Sequence, residues 1–142
     1  MEEQLVSFET AILAKKKKFD IPVKYGVYGK KMKLSQNFGW EKNQKLELTN
    51  WNAKTKQKKG SQATSVPTQS LLQKWLREEK KIFVCTDISP ISGNYEYFIH
   101  HILDHNMETN EFAPLIKESN GYDFISYEDA LEEGLKEALK LI

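Results

Sequence analysis

The stretch from Ser126 to Ile142 constrains the fold more than any other. Apolar residues recur at Tyr127, Ala130, Leu131, Leu135, Ala138, Leu139 and Ile142, a spacing that lays one stripe along a helix. Ser126 precedes them with a hydroxyl suited to an N-cap, and Asp129 follows three residues on, close to a capping box. Glu128, Asp129, Glu132 and Glu133 fill the first half and Lys136 and Lys140 the second, the order the helix dipole favours. Gly134 costs about 1 kcal/mol against alanine inside a helix. Ala130, Gly134 and Ala138 recur one turn apart, so the glycine fits a seam for close packing. A helix with one apolar stripe needs a second layer to cover it.

Ser7-Phe8-Glu9-Thr10-Ala11-Ile12 repeats the opening of that segment in residue type, so a second helix is expected from Ser7, ending in Lys15 to Lys18 before Phe19. A third is expected from Pro67 or Thr68 to about Lys80, with Ser65 or Val66 at its cap and Leu71, Leu72, Trp75 and Leu76 on its inner face. Ile82 to Ile88 alternates as a strand does. After a turn at Ser89-Pro90 and Ser92-Gly93-Asn94, Tyr95 to Leu103 reads as its antiparallel partner. Phe112 to Ile116 is a weaker strand that Pro114 places at an edge. Ile21 to Tyr28 and Lys45 to Trp51 read as short strands around glycine turns, with Gly29-Lys30-Lys31 as a hairpin tip. A basic flexible loop or linker is expected at about 52–65. The fold class expected is α+β, one domain over residues 1–142, with helices packed as a two-layer sandwich on a small, mainly antiparallel sheet.

Charge is divided along the chain. Residues 1–62 hold 14 Lys and no Arg against 6 acids, a net of +8, whereas residues 63–142 have a net of −7. Their near-cancellation conceals a dipolar chain, and such asymmetry points to a charged partner, to association between copies or to halves that neutralise each other within one chain. With 39% hydrophobic residues there is enough apolar material for a core. The single Cys85 excludes an intrachain disulfide. The acidic start Met1-Glu2-Glu3-Gln4-Leu5 is unlike a secretory leader, and no apolar run approaches a membrane span of roughly 20 residues. A cytoplasmic protein without membrane contact is expected.

No catalytic, cofactor or metal constellation emerges. His100 and His101 fall on opposite faces of a strand, and His105 adds no zinc motif. Cys85 sits mid-strand among apolar residues with no orienting third group, as a core thiol does. Asp104, Glu108 and Glu111 lack the spacing of a calcium loop. Gly26 and Gly29 lack the Gly-Lys-Ser/Thr ending of a phosphate loop. The one cluster with a binding mechanism is Lys54, Lys56, Lys58 and Lys59 beside Trp51: lysines attract phosphates without regard to sequence, and an indole can stack on an unpaired base. The helix–strand–strand–helix order after residue 66 suggests a double-stranded RNA-binding module, but such a module needs a basic start to its last helix. Here that helix begins Glu128-Asp129.

Three segments, Val6 to Ala11, Pro67 to Glu78 and Tyr127 to Ile142, resemble a family of small, functionally uncharacterised proteins encoded by Bacteroides-type bacteria and their prophages. The resemblance implies a mobile-element origin and carries over no catalytic residue. The function expected is that of a non-enzymatic intracellular interaction protein with an unknown protein partner or self-association. The alternative is a nucleic-acid-binding accessory protein using the lysine-rich loop. No cofactor is expected.

Overall fold

The computed structural model describes residues 3–28, 31–34, 48–53, 63–102, 114–119 and 124–142. The chain divides into two compact units, Leu5–Pro67 and Met1–Gln4 with Thr68–Ile142. Both are α+β. Where one sheet is expected from the sequence, each unit has its own three-stranded antiparallel sheet.

In the Leu5–Pro67 unit, α1 (Phe8–Lys16) starts as expected: Ser7 Oγ accepts the Thr10 N–H at 3.2 Å. It ends where Lys18 turns left-handed at φ +67°. Lys18 N–H then bonds Lys15 O and Phe19 N–H bonds Ala14 O, each at 3.0 Å, a Schellman closure that brings buried Phe19 back onto the helix. Strands β1 (Tyr25–Tyr28), β2 (Lys31–Leu34) and β3 (Ala63–Val66) form a sheet in the order β2-β1-β3. The β1–β2 pairing closes at Tyr28↔Lys31, so the chain reverses where the hairpin tip is expected; Gly29 and Lys30 lie outside the described residues.

Two expectations for this unit are corrected. Residues 63–65 belong to buried β3 rather than to a flexible loop, because β1 pairs with them on one side and side chains cap them on the other. Asn52 Oδ1 accepts the Ser65 N–H at 2.9 Å, and Lys15 Nζ donates to Ala63 O at 2.6 Å. Residues 54–62 lie outside the described residues. Of the expected strand ending at Trp51, the described residues form one antiparallel bridge, between Thr49 and Val23. Trp51–Ala53 instead forms a 3₁₀ turn, closed by the Ala53 N–H on Asn50.

In the other unit, α2 (Gln69–Glu79) and α3 (Tyr127–Leu141) lie on a sheet of order β4-β5-β6, formed by β4 (Ile82–Ile88), β5 (Tyr95–His101) and β6 (Leu115–Glu118). This is the expected two-layer sandwich. The α2 cap is Thr68, whose Oγ1 accepts the Leu71 N–H at 3.3 Å; Ser65 and Val66 are occupied in β3. Leu72, Trp75 and Leu76 are buried on its inner face. Ser126 caps α3 through the Asp129 N–H at 3.1 Å. Ala130, Gly134 and Ala138 form the expected seam, all buried. A Cβ on Gly134 would lie 2.9 Å from Val84 Cγ1 and 3.0 Å from Tyr97 Cβ, so its absence sets how closely α3 approaches β4 and β5. β6 begins after Pro114, and His101 N–H donates to the proline carbonyl at 3.0 Å.

Two outward backbone groups of β4 are guarded. The Gln73 side-chain amide donates to Val84 O at 2.5 Å, and the Asp87 carboxylate accepts the Ile88 N–H at 2.7 Å. Both take up groups that an edge strand would otherwise offer to another chain.

Candidate functional site

Of the residues predicted for nucleic-acid contact, Lys54, Lys56, Lys58 and Lys59 lie outside the described residues. Trp51 is only 5% exposed and packs against Gly26. It is a core residue of its unit, and its ring does not offer an open face to a base.

The thiol and imidazoles sit as the strand pattern requires. Cys85 pairs with Phe98 and His100 with Phe83, so Cys85 and His100 are diagonal neighbours on the face turned away from α3. Strand alternation puts His101 on the other face, at the exposed end of β5. Burial, with a smaller contribution from Asp87, pushes the Cys85 thiol above its ordinary pKa. That favours the protonated thiol, whereas the thiolate is the nucleophile. Among the described residues no group of three or more His, Cys, Asp or Glu is placed to hold a metal ion.

A different arrangement stands out at one end of the β4–β5 hairpin. Ile88 pairs with Tyr95 at the last rung. Tyr95 and Phe124 exchange two backbone hydrogen bonds, each 2.8 Å, which bring the segment entering α3 alongside β5. The Tyr95 and Tyr127 rings then meet edge to face at 6.2 Å. Between β4 and β5 the turn is fastened by Ser89 N–H on Asn94 O at 2.7 Å and Gly93 N–H on Ser89 O at 2.9 Å. Three segments thus converge, and each presents an apolar side chain to solvent: Ile88 is 55%, Ile91 96%, Ile125 89% and Tyr127 43% exposed.

Carboxylates lie close to this tip on both faces of the sheet. Glu128 and Asp129 are exposed on the first turn of α3, and Asp87 stands directly opposite Glu96 across the β4–β5 ladder. Like charges facing each other across a ladder are destabilising, so that pair carries a stability cost. The wider sequence has the same bias: residues 82–135 contain 11 acids and one cation, Lys117. That run was visible in the sequence, but the apolar tip was not, because the Tyr95–Phe124 bridge that assembles it is not a local signal. Lys117 itself is engaged, donating to Glu137 on α3, which also accepts from Lys140 at 2.5 Å. These two lysines, Lys117 foremost, hold the Glu137 carboxyl below its ordinary pKa.

No helix among the described residues is long and apolar enough to cross a membrane. Comparisons with protein families, curated proteins and solved structures find no match to this chain.

Proposed function

We propose that this chain is a non-enzymatic interaction protein, acting in the cytoplasm, that recognises a protein partner by charge. The observation that carries the reading is the exposed apolar tip at Ile88, Ile91, Ile125 and Tyr127, flanked by the exposed carboxylates of Glu128 and Asp129. Exposed apolar groups rimmed by one sign of charge suit a partner of the opposite sign, with charge guiding encounter and apolar contact holding it. The resemblance of three segments to prophage-encoded proteins supports a phage or prophage origin, and the single Cys85 suits a reducing compartment.

Titration of labelled protein with a lysine-rich amphipathic peptide, with its glutamate counterpart and with single- and double-stranded nucleic acid, across a salt series, tests this. The reading expects selective binding of the basic peptide, weakening as salt rises. The second reading, nucleic-acid binding, rests on Lys54, Lys56, Lys58 and Lys59. It expects nucleic-acid affinity with a log–log salt slope of about −3 to −4 that replacement of the four lysines by glutamine removes. Binding of nucleic acid alone would favour that second reading over the first.

A further inference from the structure

We propose that the acidic, apolar-tipped end of the Thr68–Ile142 unit is a docking surface for a second copy of this chain, whose lysine-bearing Leu5–Pro67 unit it receives head to tail. The assignment rests on the charge-guided reading above and names its partner. Ile91 and Ile125 are almost fully exposed on adjoining segments, apolar surface that a contact with another chain would bury. Glu128 and Asp129 flank it on α3, Asp87 and Glu96 lie on the other face of the same hairpin end, and the stretch that contains them is nearly without cations. A second copy supplies the complement: Lys16 and Lys18 at the end of α1 and Lys24 before β1 are exposed, within a segment whose net charge is +8.

The chemistry of lysine suits both parts of the surface. Its four-carbon stem can cover isoleucine and tyrosine while its ammonium reaches a carboxylate. The two patches lie on different units, so each contact joins unlike surfaces, and copies either close into a ring or extend into longer assemblies.

Sedimentation velocity of the full chain at about 50 mM and about 500 mM salt tests the proposal. Concentration-dependent growth in mass is expected at low salt, with affinity falling roughly tenfold or more at high salt. The charge-reversed chains Glu128→Lys/Asp129→Lys and Lys16→Glu/Lys18→Glu should each remain monomeric, each having lost one half of the contact. Mixed, they should associate again, because the surviving lysine end of one meets the surviving acidic end of the other. Circular dichroism verifies that each variant is folded. The pair Ile91→Ser/Ile125→Ser alters only solvent-facing side chains and should weaken association while leaving its salt dependence in place.

A chain that stays monomeric at low salt overturns the proposal, as do charge-reversed variants that ignore each other when mixed. If that monomer still binds the basic peptide, the docking surface serves a different protein and the charge-guided reading stands. If it binds neither, both fall.

Discussion

The Trp51 indole covers Gly26 so closely that a Cβ on the glycine would lie 2.2 Å from Trp51 Cδ2. The ring atoms belong to a buried side chain and have no free end to swing aside. Gly26 lies in β1, the central strand of its sheet, so the backbone cannot retreat without breaking pairings on both sides. Gly26→Ala should therefore lower stability by about 1–3 kcal/mol, the range typical of overpacking a core. Urea denaturation followed by circular dichroism and tryptophan fluorescence measures it; an unchanged midpoint would mean that the indole is not fixed against β1.

Asn52 stands in for a strand beside β3. Its Oδ1 accepts the Ser65 N–H at 2.9 Å, its Nδ2 donates to Phe19 O at 2.8 Å, and its own N–H reaches Ser65 Oγ at 3.2 Å. Asn52→Ala leaves the Ser65 N–H without its acceptor and should cost about 1–3 kcal/mol. Asn52→Asp keeps that acceptor but sets a carboxylate against the Phe19 carbonyl. The charged form is disfavoured there, so its folded pKa rises, and stability returns as pH falls from that raised value toward the unfolded one, about 4. Denaturation midpoints of both variants at pH 7 and near pH 4 separate the two roles, and an Asp variant indifferent to pH would contradict the Nδ2 contact.

How much of this was legible depends on how far each signal reached along the chain. The caps at Ser7 and Ser126 and the Ala130–Gly134–Ala138 seam are local patterns, and each is found where its spacing predicts. Strand β3 was not legible, because Ala63-Thr64-Ser65-Val66 has little apolar bulk and is held by Asn52 and Lys15 from elsewhere in the sequence. Trp51, seen beside a lysine run, reads as a surface group; its burial follows from Gly26, far earlier in the chain. At the candidate docking end the acids could be counted from the sequence. The gathering of Ile88, Ile91 and Ile125 depends on the Tyr95–Phe124 bridge, which no periodicity announces.

Lys18 and Lys81 sit at φ +67° and +55°, one residue past the caps of α1 and α2. A left-handed conformation strains a residue with a Cβ, and glycine adopts it without that penalty. Lys18→Gly and Lys81→Gly should each raise stability by up to about 1 kcal/mol. The thermal midpoint of each variant gives the answer, and a fall in both would mean that the lysine side chains contribute more than the strain they impose.

Thr86 offers a cleaner gain. Its buried Oγ1 has no hydrogen-bond partner among the described residues, so the hydroxyl is desolvated for no return. Thr86→Val keeps the shape and the β-branch that suits a strand. Stability should be unchanged or higher by about 1 kcal/mol. A loss beyond about 1 kcal/mol, measured by urea denaturation, would reveal a hidden partner such as a buried water.

Glu137 connects α3 to β6 through Lys117 and is also held by Lys140. Hydrogen bonds from the two lysines depress its folded pKa, while the hydrogen bond to Glu137 is the main factor raising that of Lys117. The sign follows from linkage. A depressed carboxyl pKa gives stability that is present above the unfolded value, near 4.3, and is lost as pH falls through the folded one. A raised lysine pKa gives stability that is present below its unfolded value, near 10.4, and is lost above it. Lys117 is more than a third exposed, so solvent screening holds the net effect to about 0–1 kcal/mol. Glu137→Gln should therefore cost a small, constant amount between about pH 5 and 9, and the gap to the parent chain should close as pH drops below about 4. Added salt should narrow it as well. Paired thermal denaturations across pH measure the gap directly, and one that persists undiminished at about pH 2.5 would mean that Glu137 acts through packing rather than charge.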